Sequence, residues 1–332
     1  MGSGNACHHD FLPTASLDVL RLRADLLRRL RRFFEERGFL EVETPLLSAD
    51  TVIDLHLDPI PVTVFSDPRQ ADIGRRMWLQ TSPEFAMKRL LTAGAPSIYQ
   101  VTRAFRGGES GGWHNPEFTI VEWYGVGHGL QQGVQLLSDL AEELLQQGPA
   151  ERITYRHAFQ RWVGIDPHEA DGRQLAAAAN RLGVAVPSSL TTEDRDGWLD
   201  LLLVECIEPQ LGRHRPLILD EYPATQAALA QVRPGHPPVA ERFELYFRGV
   251  ELANGYLELL DAAELRRRNS ATNELRVSAG KYPLPEPSRL LAAMDEGLPP
   301  CTGVALGFDR LVMLACGAKE IAEVVAFPIE RA

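Results

Sequence analysis

The chain has 332 residues, 45% hydrophobic and 24% charged, with a formal net charge of −11. That is ordinary for a soluble globular protein with one large domain or two small ones. It counts against a large RNA footprint, which rests on a basic face. No run of about 18 apolar residues marks a membrane helix, and Met1–Ser16 lacks the basic-then-apolar pattern of a secretory signal. Residues 1–16 read as a flexible polar tail. Cys7-His8-His9 lies in that tail, where disorder is favoured over metal binding. Cys7, Cys206, Cys301 and Cys316 are scattered, with no CxxC pair, so neither a disulfide framework nor a zinc ribbon is expected. The expectation is a reduced, cytoplasmic protein.

Leu20, Leu27, Leu30 and Phe34 fall at helical spacing, which predicts an amphipathic helix over Leu17–Arg37, stopped by Gly38. Phe39–Pro45 reads as a short strand ending at a proline. Ile98–Arg106 and Phe118–Tyr124 are strand-like and flank the flexible run 107–112, as in a long hairpin. Leu130–Gln147 is predicted helical, and Glu151–Leu211 mostly helical. Phe243–Phe247 and Val250–Ala253 form a second hairpin across Arg248-Gly249. Residues 262–287 are polar and read as a variable insertion. Gly303–Leu306 is a strand running into a helix after Gly307-Phe308-Asp309-Arg310. Strands separated by helices, with clear hairpins, predict an α+β fold on an antiparallel sheet flanked by helices.

Four clusters could carry chemistry. Thr81-Ser82-Pro83-Glu84 reads as a helix start, with Ser82 as cap, Pro83 first in the helix and Glu84 on the dipole. A carboxylate there can also receive a substrate ammonium. Period-two alternation puts Arg106 on one strand face with Gln100, Thr102 and Ala104, where it could hold a phosphate bidentately. With Arg248-Gly249 as the turn, Phe247 faces Val250 and Tyr246 faces Glu251. Glu244 then shares a face with Glu251, one diagonal step away. Two carboxylates so placed suit a magnesium ion, and Asn254 and Glu258 extend the polar cluster. In Gly303–Arg310 the glycines permit close approach of a flat ligand.

These pieces, in this order, resemble the three motifs of class II aminoacyl-tRNA synthetases. Phe39–Pro45 is similar to motif 1, the dimer-forming one; Phe105-Arg106 through Glu117-Phe118 to motif 2; Gly307–Arg310 to motif 3. Ser82-Pro83-Glu84 with Lys88–Leu91, His114–Thr119, and Glu251 with Asn254-Gly255 are runs of the lysine enzymes. Motif 1 starts within the first 45 residues, leaving no room before it for an anticodon-binding barrel. Tyr222–Gln231 and Ala305 resemble the EpmA family, stand-alone lysyl-tRNA synthetase paralogues that attach (R)-β-lysine to elongation factor P.

The resemblance implies one catalytic domain over residues 17–332 that uses ATP and Mg2+, acts on (R)-β-lysine or lysine, modifies elongation factor P and forms a homodimer, with tRNA and membrane disfavoured as partners. It assigns the ATP phosphates to Arg106 and Arg310. The rest of the nucleotide falls to Asn115, Phe118, Glu251, Leu252 and Gly307, with Phe118 stacked on adenine. Magnesium falls to Glu244 and Glu251. The amino-acid pocket falls to Ser82, Pro83, Glu84, Tyr124, Asn254, Glu258 and Ala305. One departure stands out. Where the family has Arg-Asn-Glu, this chain has Arg106-Gly107-Gly108-Glu109, and Glu109 is expected to reach the base across the loop. The alternatives are a minimal lysyl-tRNA synthetase charging tRNA and a catalytically silent regulatory subunit, the latter favoured by Gly107-Gly108.

Overall fold

The computed structural model describes residues 11–332. The Cys7-His8-His9 expectation lies outside them. The chain divides into two compact units, and each is taken by itself.

The first unit holds residues 1–123, 261–298 and 307–332. It opens with α1 (Leu17–Glu35), capped by Ser16, whose hydroxyl accepts from the Val19 amide. Its apolar stripe buries Leu26, Leu30, Phe33 and Phe34. Phe34 stacks on Tyr99 at 4.6 Å and tilts against Trp123 at 5.2 Å, so α1 is pinned to the sheet by aromatic contacts. After β1 (Leu40–Glu41), β2 (Leu47–Ser48), β3 (Pro61–Val64) and β4 (Arg75–Leu79) form a small sheet of order β2-β4-β3. Next come α2 (Glu84–Thr92), β5 (Ile98–Phe105) and β6 (Glu117–Val126), whose residues pass from the first unit into the second after Trp123. The order here is β1-β5-β6, with β1 parallel to β5. The predicted 39–45 strand shrinks to two residues, since only Leu40 and Glu41 pair with β5.

The second unit holds residues 124–260 and 299–306. It contains α3 (Leu130–Leu145), β7 (Glu151–Thr154), α4 (Tyr155–Trp162), α5 (Gly172–Leu182), α6 (Arg195–Leu202), β8 (Leu217–Pro223), β9 (Val232–Arg233), β10 (Val239–Phe247) and β11 (Val250–Leu257). A core of Tyr155, Phe159, Leu175, Leu199, Leu202 and Tyr222 joins α4, α5 and α6 to the sheet.

Back in the first unit, α7 (Ala262–Ser278) and α8 (Arg289–Gly297) follow. The 262–287 stretch, read as a polar variable insertion, folds as a helix over residues 262–278. Arg276 is fully buried, donates to the carbonyls of Asp54 and Leu57, and pairs with Asp58 at 2.9 Å. A helix polar all round is held here by buried polar contacts, which hydrophobic periodicity cannot reveal. Then β12 (Cys301–Gly307) leads into α9 (Phe308–Cys316). In the second unit the order is β12-β11-β10-β8-β7, with β9 beside β10. The pairings β12-β11, β11-β10 and β10-β8 are antiparallel, and only β7 runs parallel to its neighbour.

The 1–16 tail expectation needs a further correction. Ala15 is buried, and Thr14 donates from its hydroxyl to the Val325 carbonyl at 2.9 Å. Among the described residues no helix is long and apolar enough to cross a membrane.

Candidate active site

In the first unit the predicted phosphate arginines sit on the 98–126 hairpin and on α9. Arg106 lies just past the end of β5. Its guanidinium covers the Phe118 ring at 4.8 Å, and its amide donates to the Pro116 carbonyl at 2.9 Å. Glu109 turns back toward it, Oε2 to Nη1 3.7 Å. Of the two glycines replacing the family's Asn-Glu, Gly108 has a physical reason. Gly108 has φ +79°, a left-handed backbone costly for a side chain. The Gly107 amide donates to the Asp58 carbonyl at 2.7 Å.

Arg310 is on the first turn of α9, and its Nη2 lies 2.6 Å from His114 Nε2. Burial, then the Arg310 charge, holds the His114 imidazole below its ordinary value of 6.5. Next to Arg310, the buried Asp309 accepts from the Thr119 amide at 2.8 Å and pairs with Arg23 of α1 at 2.6 Å. One carboxylate therefore ties α1, β6 and α9 together and sets the height of Arg310. Neither His114 nor Asp309 was singled out from sequence. A histidine beside the phosphate arginines in motif 2 was the available signal. Asn115 is buried, with Nδ2 donating to the Glu117 carbonyl at 2.5 Å and Oδ1 accepting from the Ile329 amide at 2.9 Å.

The Ser82–Glu84 turn also belongs to this unit. The helix begins at Glu84, one residue later than expected, with Pro83 in the cap position. Ser82 still accepts from the Glu84 amide at 3.0 Å, and donates to Glu122 at 2.6 Å. Glu84 is buried and receives Lys88 Nζ at 2.5 Å, so its charge is already matched one turn along α2.

In the second unit the β10–β11 hairpin keeps the expected pairs Phe247–Val250 and Tyr246–Glu251, then slips by one residue at Leu252. The slip is a β-bulge. It places Asn254 directly opposite Glu244, so Glu251 and Asn254 share a face despite their odd spacing. Glu244 is buried and fully engaged. Oε1 accepts from Arg242 Nη2 at 2.5 Å and Asn254 Nδ2 at 2.9 Å, while Oε2 accepts from the hydroxyls of Tyr246, at 2.6 Å, and Tyr222. Burial, then the Glu244 charge, pushes both tyrosines well above 10, so they stay protonated donors. Glu251 is half-buried on the same face. Both carboxylates offer the hard oxygens that magnesium prefers, but a cation on Glu244 would compete with Arg242. Leu252 is buried at the bulge.

Across β12, Ala305 pairs with Asn254 and Gly303 with Tyr256. A Cβ on Gly303 would fall 2.0 Å from Glu258 Oε1 and 2.4 Å from Tyr124 Cε1. The missing side chain lets a buried carboxylate and a buried phenol meet over the strand. The predicted pocket residues Tyr124, Asn254, Glu258 and Ala305 thus gather in one unit, and Gly303 joins them. Gly307 caps α9 in the first unit, where Arg106, Arg310, Phe118 and the Ser82–Glu84 turn also lie.

The order of these elements along the chain, an arginine-bearing hairpin and helix in the first unit and an acidic hairpin in the second, is that of a class II synthetase. The class II tRNA synthetases (D, K and N) match residues 7–331, and the chain belongs to that family. It is similar throughout to proteins named elongation factor P–(R)-β-lysine ligase. The Klebsiella pneumoniae (strain 342) protein is 47% identical over 320 residues, 96% of this chain and 98% of that protein. The Vibrio cholerae serotype O1 protein is 47% identical over 326 residues, 97% and 99%. The Proteus mirabilis protein is 46% identical over 323 residues, 97% and 98%.

Proposed function

We propose that this chain is a ligase that activates (R)-β-lysine with ATP and transfers it to a lysine side chain of elongation factor P. The relatives carry that activity in their names over nearly the whole chain. The observation that carries the reading at the level of geometry is Glu258 beside Tyr124 under Gly303, a buried acidic cradle for an ammonium group.

In the first step the substrate carboxylate attacks the α-phosphorus of ATP and pyrophosphate leaves, giving the aminoacyl-adenylate. Arg106 and Arg310 offset charge developing on the phosphates, and the rest of the work is positioning. Phe118 and Asn115 border the base, and Leu252 and Gly307 back the nucleotide. When bound, magnesium would supply charge neutralisation at the phosphates, held by Glu251 and, in exchange for Arg242, by Glu244. In the second unit Asn254 and Glu258 receive a substrate ammonium group, with Tyr124 and Ala305 shaping that pocket; in the first unit Glu84, beside Ser82 and Pro83, receives one in exchange for Lys88. In the second step a neutral acceptor amine attacks the adenylate carbonyl, and AMP leaves with loss of one proton from nitrogen.

The net charge of −11 favours a protein acceptor over tRNA. Leu40 and Leu46, exposed at 51% and 39% in the motif 1 segment, suit a homodimer contact. The reading is tested by amino-acid-dependent ATP–pyrophosphate exchange with α-lysine and (R)-β-lysine, followed by transfer to purified elongation factor P. Exchange with (R)-β-lysine and a mass increase of the acceptor are expected. Exchange with α-lysine alone, together with charging of tRNA, would overturn it.

A further inference from the structure

The segment 321–332 is tied to the motif 2 loop at three points, all within the first unit. The Ile321 amide donates to the Gly112 carbonyl at 2.7 Å. The Ile329 amide donates to Asn115 Oδ1 at 2.9 Å. The Ser110 hydroxyl donates to Glu330 Oε1 at 3.2 Å. On its other side the segment is held by residues 12–14. Thr14 bonds the carbonyls of Val325 and Ala326, and Arg331 Nη1 donates to the Leu12 carbonyl at 3.1 Å.

Residues 107–112 are otherwise held by the Gly107 amide on the Asp58 carbonyl at 2.7 Å and a short bridge between Gly111 and His114. They are rich in glycine and carry a left-handed turn at Gly108. Such a loop loses much conformational freedom when it closes on a ligand. Asn115 is where the constraint enters. With Oδ1 on Ile329 and Nδ2 on the Glu117 carbonyl, its amide is braced at both ends. It directly follows His114, the residue against Arg310.

We infer that residues 321–332 are a positioning element of the nucleotide site, holding the motif 2 loop through Asn115, Gly112 and Ser110 so that Arg106, His114 and Arg310 are in place before ATP arrives. The inference rests on the functional reading above and adds to it residues that touch no substrate. Pre-ordering the loop lowers the entropic cost of binding ATP, so loosening the tie weakens ATP binding and leaves the amino acid unaffected.

Ile329→Pro is the cleanest probe. Position 329 opens a short helix, where proline is tolerated, and Pro328 at φ −69°, ψ 169° is already extended, as a residue before proline must be. The exchange removes one amide donor. Ile329→Ala keeps the amide and controls for the side chain, which is 48% exposed. ATP binding would be titrated directly by calorimetry, alongside KM for ATP and for lysine in pyrophosphate exchange and hydrogen exchange of residues 107–114.

We expect Ile329→Pro to weaken ATP binding roughly three- to tenfold, the scale of one lost hydrogen bond. Loop amides should exchange faster and KM for lysine should hold, with Ile329→Ala close to wild type. Unchanged ATP affinity in Ile329→Pro overturns the inference, as does an equal rise in both KM values with a fall in Tm. Wild-type protein that fails to bind ATP would remove the functional reading and this inference with it. Wild-type protein that binds ATP but activates no lysine would remove the reading alone.

Discussion

Arg310 donates to His114, Nη2 to Nε2 at 2.6 Å, and that contact fixes the protonation of the histidine. Arginine has only donors, so His114 Nε2 must carry a lone pair and the ring proton sits on Nδ1. Burial and the Arg310 charge hold the imidazole neutral, below its ordinary 6.5. ATP phosphates at Arg310 would reverse that balance, because an anion favours the imidazolium. The pKa would therefore be higher in the complex than in the free protein. ATP binding should take up a proton, and affinity should rise as pH falls between the two values. Calorimetry near pH 6 in two buffers of different ionisation enthalpy measures the uptake. We expect it in wild type and not in His114→Gln; wild type without it would place the phosphates elsewhere.

Arg310 itself should not be replaceable by lysine, which lacks the planar fork. Losing charge-assisted hydrogen bonds costs about 1.5–3 kcal/mol. Arg310→Lys should therefore lower kcat/KM for ATP in pyrophosphate exchange roughly tenfold or more. A twofold change would show that Arg310 carries no phosphate.

The two hairpin glutamates should separate experimentally. Glu244→Ala leaves Arg242 buried without its carboxylate, and breaking a buried pair in this way costs about 3–5 kcal/mol. A clear drop in Tm is expected. Glu251→Gln should leave Tm near wild type and abolish magnesium-dependent exchange. If Glu251→Gln stays active at wild-type magnesium levels, Glu251 is no metal ligand.

Gly303→Ala should act on the amino acid alone. Its methyl would arrive 2.0 Å from Glu258 Oε1, a distance no packing tolerates, so Glu258 or Tyr124 must move. KM for lysine is expected to rise at least about tenfold, at the cost of a displaced charged contact, with ATP affinity kept. An unaltered KM for lysine would take the Tyr124–Glu258 cradle out of the pocket.

Asp220 gives a pH-dependent stability. It is fully buried, and burial pushes its carboxyl up to about 6 although Arg152 pairs with it. In the unfolded chain the value is near 3.8. Between these values the folded state binds more protons, so the stabilising contribution is complete below about 3.8 and is lost as pH rises through about 6. At about 1.4 kcal/mol per pKa unit, the effect is of the order of 2–3 kcal/mol. Denaturant unfolding of Asp220→Asn should lack that decline between pH 4 and 6.5. A decline equal to wild type's would assign it to other groups.

The hairpins and α1 were legible in the sequence because each rests on local pattern. Apolar runs bounded by glycine mark β5 and β6, helical spacing picks out Leu30 and Phe34 of the buried face of α1, and motif order picks out Arg106 and Arg310 for the proposed phosphate role. The partners of Glu244 were not. Tyr222 lies 22 residues away and Tyr246 reads as a plain strand tyrosine, so only the fold reveals four donors on one carboxylate. The helix over 262–278 was not legible because Arg276 and Asn273 are buried polar residues, and a polar helix surface in sequence looks solvated. The reach of Glu109 also depended on loop geometry, which places it by Arg106.

The bulge at Leu252 puts the two halves of β11 out of phase. A strand normally offers one side chain in two to a given face, but here the three steps from Glu251 to Asn254 bring both ends to the same side. Regular pairing at the present length would set Leu252 opposite Leu245 and turn Asn254 to the opposite face from Glu251 and Glu244. With this spacing the bulge itself is therefore a requirement of the site, as much as the identity of the side chains it gathers on one face.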